Sequence, residues 1–287
     1  MGHVVGVIGG SGLYELDGLT DIRESQVTTP FGDPSDALIH GRLGDTQMVF
    51  LPRHGRGHRF TPSEVNYRAN VFALKEAGVN WIISVSAVGS LREPIVPGHV
   101  VLVDQFIDRT RGSRASTFFG EGVVAHVPFG DPVCETLRGH LRDASREAGA
   151  TVHDGGTYVV MEGPAFSTRA ESELYRSWGA SVIGMTNLPE AKLAREAEIS
   201  YATLAMATDY DCWHPGHDDV NVEQVVAVIN ANVNLAKRIV AAAVPHIASH
   251  EGPCPQYGAL QGAIMTAPDA MNPATRDALA PLIGRYV

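Results

Sequence analysis

Short apolar runs recur along the chain, separated by amphipathic stretches of helical period. The runs 4–8, 48–51, 81–87, 100–106, 158–161, 182–185 and 202–207 read as strands. Several are apolar on both faces, as strands buried inside a parallel or mixed sheet must be. Between them, Thr61-Pro62-Ser63-Glu64 has capping-box spacing with Pro at the first helical position, and Gly78 supplies a stop. Further helices are predicted near 131–148, 168–178 and 189–197. The longest spans about 222–244, where Val222, Val225, Val226 and Ile229 fall at helical spacing. This alternation predicts a single doubly wound α/β domain with a central mixed β-sheet flanked by helices. The pattern ends near residue 250. Residues 1–250 therefore read as the domain, and 251–287, opening with Gly252-Pro253-Cys254-Pro255, as a C-terminal appendage with one weak helix near 274–283.

Composition narrows the class. The 287 residues carry 32 acidic and 22 basic side chains, a net charge of −10. Attraction to nucleic acid or to an anionic membrane is therefore disfavoured, while a local basic cluster could still hold a small anion. No apolar run approaches the roughly 18 residues that span a bilayer. The apolar stretch at the N-terminus is short and lacks a signal peptide's basic flank, so a cytoplasmic enzyme is expected. Cys134, Cys212 and Cys254 are far apart, which argues against a disulfide framework or a cysteine-rich zinc site.

Candidate chemistry gathers at the ends of the predicted strands. The first strand runs into Gly9-Gly10-Ser11-Gly12, where a sharp turn can face N–H groups and the Ser11 hydroxyl towards an anion. A dinucleotide fingerprint would need Gly where Glu15 stands, and a triphosphate loop would end in Gly-Lys-Ser/Thr. A merely tight connection fits equally well. In Pro52-Arg53-His54-Gly55-Arg56-Gly57-His58, Arg53 offers a planar fork for phosphate and His54 a further donor. The alternatives there are a solvated loop, or a zinc pair of His54 and His58 without further ligands. Ser86-Ala87-Val88-Gly89-Ser90 ends a strand where open α/β sheets take ligands.

Two more strand ends follow. Phe166, in Glu162-Gly163-Pro164-Ala165-Phe166, is either a flat surface for a ring or ordinary core, and Met185-Thr186 ends the next strand. In Thr208-Asp209-Tyr210-Asp211 the two carboxylates project from one side if the strand continues. Crowding and burial would then raise one pKa, so that the pair donates to one ligand heteroatom and accepts from another. An Asx turn or a cation site explains the same spacing.

Taken in order over residues 4–245, these segments resemble the 5′-methylthioadenosine phosphorylases of the purine nucleoside phosphorylase superfamily. The resemblance also rests on Pro62-Ser63-Glu64-Val65-Asn66-Tyr67, Asp104-Gln105-Phe106-Ile107-Asp108-Arg109-Thr110 and Ala205-Met206-Ala207-Thr208-Asp209-Tyr210-Asp211-Cys212-Trp213. It implies a purine nucleoside phosphorylase-like fold and the phosphorolysis of 5′-methylthioadenosine to adenine and 5-methylthioribose 1-phosphate. It assigns phosphate to Ser11, Arg53, His54, Ser86, Ala87 and Thr186. Met185 goes to the ribose, Phe166 to the base, and Asp209 and Asp211 to N7 and the exocyclic amine. Val222, Val225 and Val226 would line an apolar pocket for the methylthio group. The residue matching His126 would reach that pocket from a neighbouring subunit, implying a homotrimer, alone or paired into a hexamer.

Inorganic phosphate is then the co-substrate, and neither a redox cofactor nor a metal is expected. Ser11 and Ser86 stand where many relatives carry Thr, Val88 where Cys is common, and Gly184 and Asn187 also depart from the family's usual forms. A phosphorylase for another 5′-modified or 6-oxopurine nucleoside, or a non-catalytic nucleoside sensor, would share most of these features.

Overall fold

Eleven strands and seven α-helices alternate in the computed structural model, among the described residues. These are residues 2–10, 12–215 and 222–287, with the side chains of 222–227 and 229 excepted. The strands are β1 (Val4–Gly9), β2 (Leu19–Ser25), β3 (Leu38–Leu43), β4 (Thr46–Pro52), β5 (Trp81–Ser90), β6 (Val100–Leu102), β7 (Gln105–Arg109), β8 (Val152–Asp154), β9 (Thr157–Met161), β10 (Val182–Gly184) and β11 (Ser200–Asp209). The helices are α1 (Tyr67–Glu76), α2 (Glu135–Glu147), α3 (Arg169–Ser177), α4 (Asn187–Glu196), α5 (Val222–Ala248), α6 (Pro273–Ala278) and α7 (Ala280–Ile283).

They form one mixed sheet between two helical layers, the α/β arrangement expected from the alternation. One apolar cluster joins the sheet to α1, α4 and α7, through residues such as Phe72, Leu193 and Ile283. The other joins it to α2 and α5, through Leu137, Leu141, Ile239 and Val240. Strands β6 and β11 are buried on both faces, except for a half-exposed Asp209.

The central strand β5 changes partners along its length. Its first half pairs in parallel with β1, ending at Ile8 opposite Ser84. On that same edge β10 takes over antiparallel, with Ile183 opposite Gly89. Between these points residues 85–88 have no strand partner on that edge, while β11 runs alongside the other edge throughout. The sheet therefore forks there. Parallel β1 and β4 end at the mouth of the fork, since Gly9 is in register with Pro52. Open α/β sheets place their ligands in a crevice of this kind.

Three expectations need correction. Thr61 and Glu64 do bond to each other, Glu64 Oε2 accepting from Thr61 N–H at 2.9 Å and from its hydroxyl at 2.7 Å. They close a turn, however, and the helix starts six residues later with Asn66 as its cap, accepting from Ala69 N–H at 3.2 Å. The predicted strand 100–106 is two strands, broken at Val103-Asp104 because β6 pairs with β11 and β8 whereas β7 pairs with β9. Strands β2, β3 and the three-residue β8 went unpredicted. β2 is an edge strand exposed over most of its length and carries Asp21, Arg23 and Glu24, so apolar alternation could not reveal it.

Beyond residue 250 the chain lies against the domain. Cys254, Leu260, Leu279, Leu282 and Ile283 are buried. Buried Glu198 clasps this segment at two places. Its carboxylate accepts from the N–H groups of Gly258 (3.1 Å) and Leu260 (2.9 Å), and from Arg285 Nη2 and the Tyr286 hydroxyl, both at 2.5 Å. No helix among the described residues is long and apolar enough to cross a membrane.

Candidate active site

Strand ends converge on the fork from several elements. Arg53 follows β4, and its N–H donates to Gly9 O at 2.9 Å, which joins the β1 and β4 termini. Its guanidinium is buried and points inward, with Nε and Nη2 gripping the Glu190 carboxylate of α4 at 2.8 and 3.0 Å. Nη2 also donates to Ser84 Oγ at 2.7 Å, and Nη1 to Val85 O at 3.0 Å. Glu190 Oε1 further accepts from the hydroxyls of Ser84 (2.7 Å) and Tyr201 (2.9 Å). The planar fork expected to clasp phosphate thus clasps a carboxylate. One Nη1 hydrogen and a largely neutralised charge remain for the crevice.

His54 is set by its own loop. Its Nδ1–H donates to Phe60 O at 2.8 Å, and its ring stacks on His58 with centroids 4.3 Å apart. Burial, together with the charge of Arg53, lowers its pKa to about 4. The ring is therefore neutral and offers Nε2 as an acceptor. Stacked rings do not aim their nitrogens at a common point, and no three metal-ligand side chains converge among the described residues.

Ser86 is buried on the unpaired stretch of β5, and its hydroxyl shares a 3.1 Å hydrogen bond with Tyr158 OH. Gly184 makes that approach possible, because a Cβ there would lie 2.0 Å from the Tyr158 hydroxyl. Ala87, next along, is exposed. Thr186 is buried just ahead of α4. Its neighbour Asn187 donates from Nδ2 to Tyr201 OH (2.5 Å) and Thr203 Oγ1 (2.7 Å) in the polar layer under the crevice.

The carboxylate pair lies at the far end of the fork. Strand β11 bulges between Ala207 and Asp209, which face Val88 and Gly89. A bulge re-aims the side chain that follows it. Strand geometry does not continue to Asp211, contrary to expectation. Asp211 sits in a turn at φ 52°, and its N–H donates to Asp209 Oδ1 at 2.8 Å. The turn and the pair are one structure. Gly89 leaves room for it, since a Cβ there would stand 3.0 Å from Asp209 Oδ1.

The two acids differ in what holds them. Asp209 Oδ2 accepts from the Thr208 hydroxyl at 2.6 Å, so both of its oxygens are engaged. Asp211 Oδ2 is buried with no hydrogen-bond partner among the described residues. Burial raises both pKa values. For Asp211 it outweighs the nearby Ser172 hydroxyl and is reinforced by the charge of Asp209, reaching about 6.

Phe166 is half-exposed on the loop between β9 and α3, so it is not core. That loop is tied to the acid turn, because Cys212 Sγ donates to Ser167 O at 3.3 Å. Met185 directly follows β10 and is only partly covered. His126 has no hydrogen bond, among the described residues, to any of these side chains. It is exposed, its N–H donates to Ala263 O at 2.9 Å, and it lines a depression of about 420 Å³ with Arg195 and Tyr257. Ser11 and the side chains of Val222, Val225 and Val226 lie outside the described residues.

Sequence reasoning missed Glu190, Tyr158 and Arg114. Each is polar and buried or nearly so, yet in the sequence each looks like an ordinary helix, strand or loop residue. Arg114 gives the clearest case. Its guanidinium reaches the carbonyls of Glu162, Met185 and Leu188, a grouping no local pattern records.

The Phosphorylase superfamily is matched over residues 4–245. The chain is 62% identical over 287 residues to the S-methyl-5′-thioadenosine phosphorylase of Geobacter sulfurreducens, covering 100% of both chains. It is 59% identical over 282 residues to the protein of that name from Chloroflexus aurantiacus, covering 98% of each. Among solved structures, a methylthioadenosine phosphorylase from an antarctic soil metagenomic library superposes with a TM-score of 0.93 at 48% identity, covering 98% of this chain and 99% of that one. A mutant adenosine/methylthioadenosine phosphorylase from Schistosoma mansoni, in complex with adenine, gives 0.88 at 39% identity, covering 92% and 100%.

Proposed function

The chain belongs to the 5′-methylthioadenosine phosphorylase family of the phosphorylase superfamily, and on that premise we propose how its crevice works. The protein is a pentosyltransferase of the purine nucleoside phosphorylase type. It converts 5′-methylthioadenosine and phosphate into adenine and 5-methylthioribose 1-phosphate, a step of purine and methionine salvage.

The observation that carries the assignment of roles is the Asp209/Asp211 turn, with one carboxylate hydrogen-bonded at both oxygens and the other keeping one buried oxygen without a partner. Phosphorolysis breaks the bond between C1′ and N9 while a phosphate oxygen bonds to C1′. The electron pair of the broken bond goes to the purine, and a proton delivered at N7 neutralises it. Asp211 holds that proton, and anionic Asp209 accepts from the exocyclic amine. General acid assistance of this kind is worth about 10²–10⁴-fold. A 6-oxo group in place of the amine would meet Asp209 with repulsion, which favours 6-aminopurines.

Phosphate is assigned to Ser11, His54, Ser86, the Ala87 backbone and Thr186, with Arg53 beneath them. Because Glu190 already neutralises Arg53, hydroxyl and N–H donors supply most of the grip. Neutral His54, its Nδ1–H committed to Phe60, presents an acceptor that suits the one P–OH of hydrogen phosphate. Met185 lies against the ribose and Phe166 beside the base. The 5′-methylthio group is assigned to Val222, Val225 and Val226, whose side chains lie outside the described residues.

His126, exposed in the single chain, fits the neighbour-facing role in a homotrimer, alone or paired into a hexamer. The reaction needs no cofactor beyond phosphate, and the setting is the cytoplasm. Purified protein given 5′-methylthioadenosine is expected to release adenine only when phosphate is present. Equal release without phosphate would make it a hydrolase, and tight binding without turnover would make it a sensor.

A further inference from the structure

Arg114 belongs to neither the phosphate group nor the acid pair, yet it is one of the most enclosed charged side chains in the molecule, at 6% exposure. It lies on the loop after β7. Nη1 donates to Met185 O at 2.5 Å and Leu188 O at 3.0 Å, and Nη2 to Glu162 O at 2.6 Å. Nε reaches Ser63 Oγ at 3.3 Å. One planar group therefore joins the turn after β9, the turn after β10 and the entry to α4.

Those carbonyls need it. Leu188 has non-helical angles (φ −118°, ψ 135°) inside the first turn of α4, so the backbone between Met185 and Leu188 is irregular. A buried carbonyl left without a partner is destabilising, and the rigid five-donor fork of Arg spans several where Lys could not. The loop bearing Arg114 is itself pinned. The Glu162 carboxylate accepts from Arg111 N–H at 2.5 Å, from the Ser113 hydroxyl at 2.7 Å and from the Ser63 hydroxyl. Despite partial burial, these bonds hold Glu162 near a pKa of about 2. The turn joined through Glu162 leads to Phe166, and the turn after β10 carries Met185.

We propose that Arg114 is a positioning residue that sets the nucleoside wall of the crevice by fixing the Glu162 and Met185 turns relative to each other. This rests on the nucleoside reading of the same crevice. On the phosphate side, Arg53 is held on Glu190 and Ser86 by Tyr158 with no bond to Arg114, while Thr186 lies between two of its carbonyl partners. Loss of the Arg114 fork is therefore expected to fall chiefly on nucleoside binding.

The test is Arg114→Lys, which keeps the charge and loses the fork, measured beside the wild type. Nucleoside KM, and the Kd of 5′-methylthioadenosine by calorimetry without phosphate, should both rise at least tenfold, while phosphate KM moves less than threefold. Ser63→Ala with Ser113→Ala, which loosens the Glu162 end and removes one contact to Arg114 Nε, should shift nucleoside binding the same way by a smaller factor, and serves if the lysine variant does not fold. Equal rises in both KM values, or a lower melting temperature with binding unchanged, would overturn the inference. Absence of phosphate-dependent turnover in the wild type would overturn the functional reading instead, and the calorimetric comparison would still decide the role of Arg114.

Discussion

Glu190 and Asp211 are both buried carboxylates bordering the crevice, but Glu190 has a guanidinium against it and Asp211 has no cation among its described neighbours. Glu190 is bridged by Arg53 and roofed by Ser84 and Tyr201, so its charge is fully answered inside the fold. Asp211 keeps an oxygen with no partner and a pKa raised to about 6. The contrast separates support from chemistry. A carboxylate whose bonds are complete holds other groups in place, whereas one left incomplete can change its protonation when a ligand arrives.

The comparison breaks most sharply at Glu190. Glu190→Gln leaves Arg53 buried without its counter-charge, which should cost about 3–5 kcal/mol in denaturant unfolding. Replacing both partners by Met should recover most of that loss and still weaken phosphate use. If Glu190→Gln unfolds like the wild type, the pair is not the support described here.

On the other side of the contrast, Asp211→Asn can donate a hydrogen bond but has no proton to transfer. Turnover of 5′-methylthioadenosine should fall by about 10²–10⁴-fold, with unfolding little changed near pH 4. Turnover within a factor of three of the wild type would take the proton away from Asp211.

The smallest expected effect lies in stability against pH. Burial lifts the folded pKa of Asp211 from an ordinary 3.8 to about 6, so its ionisation opposes folding. The favourable neutral form is complete below 3.8, its advantage declines as pH rises from 3.8 to about 6, and above that the fold carries the whole penalty. Asp211→Asn should therefore match the wild type near pH 4 and exceed it at pH 8, by at most about 3 kcal/mol. A constant difference across that range would mean that Asp211 is not the group being titrated.

Much of this was legible along the chain. Runs such as 81–87 and 202–207 announced buried strands, because only strands covered on both faces are apolar throughout. The small and hydroxyl-bearing residues at 9–12, 86–90 and 208–211 marked where those strands end, and the ordered set of segments identified the family. Charged edge strand β2 escaped notice because its partner is β3 and its outer face is water. The first turn of α1 was misplaced because Thr61 and Glu64 satisfy each other equally well in a turn.

What local sequence determined, then, was residue chemistry and period: which side chains could bind an anion, which could hold a proton, and which elements would carry them. Tertiary structure alone decided how those groups are used. It turned the Arg53 fork inward, because Glu190, 137 positions away, lies within reach. It brought Asp211 beside Asp209 through a bulge and a left-handed turn rather than a continued strand. It also gathered three distant carbonyls around Arg114. Hydrogen bonds and ion pairs depend on separation in space, and that separation is set only once the sheet has forked and the helices have packed against it.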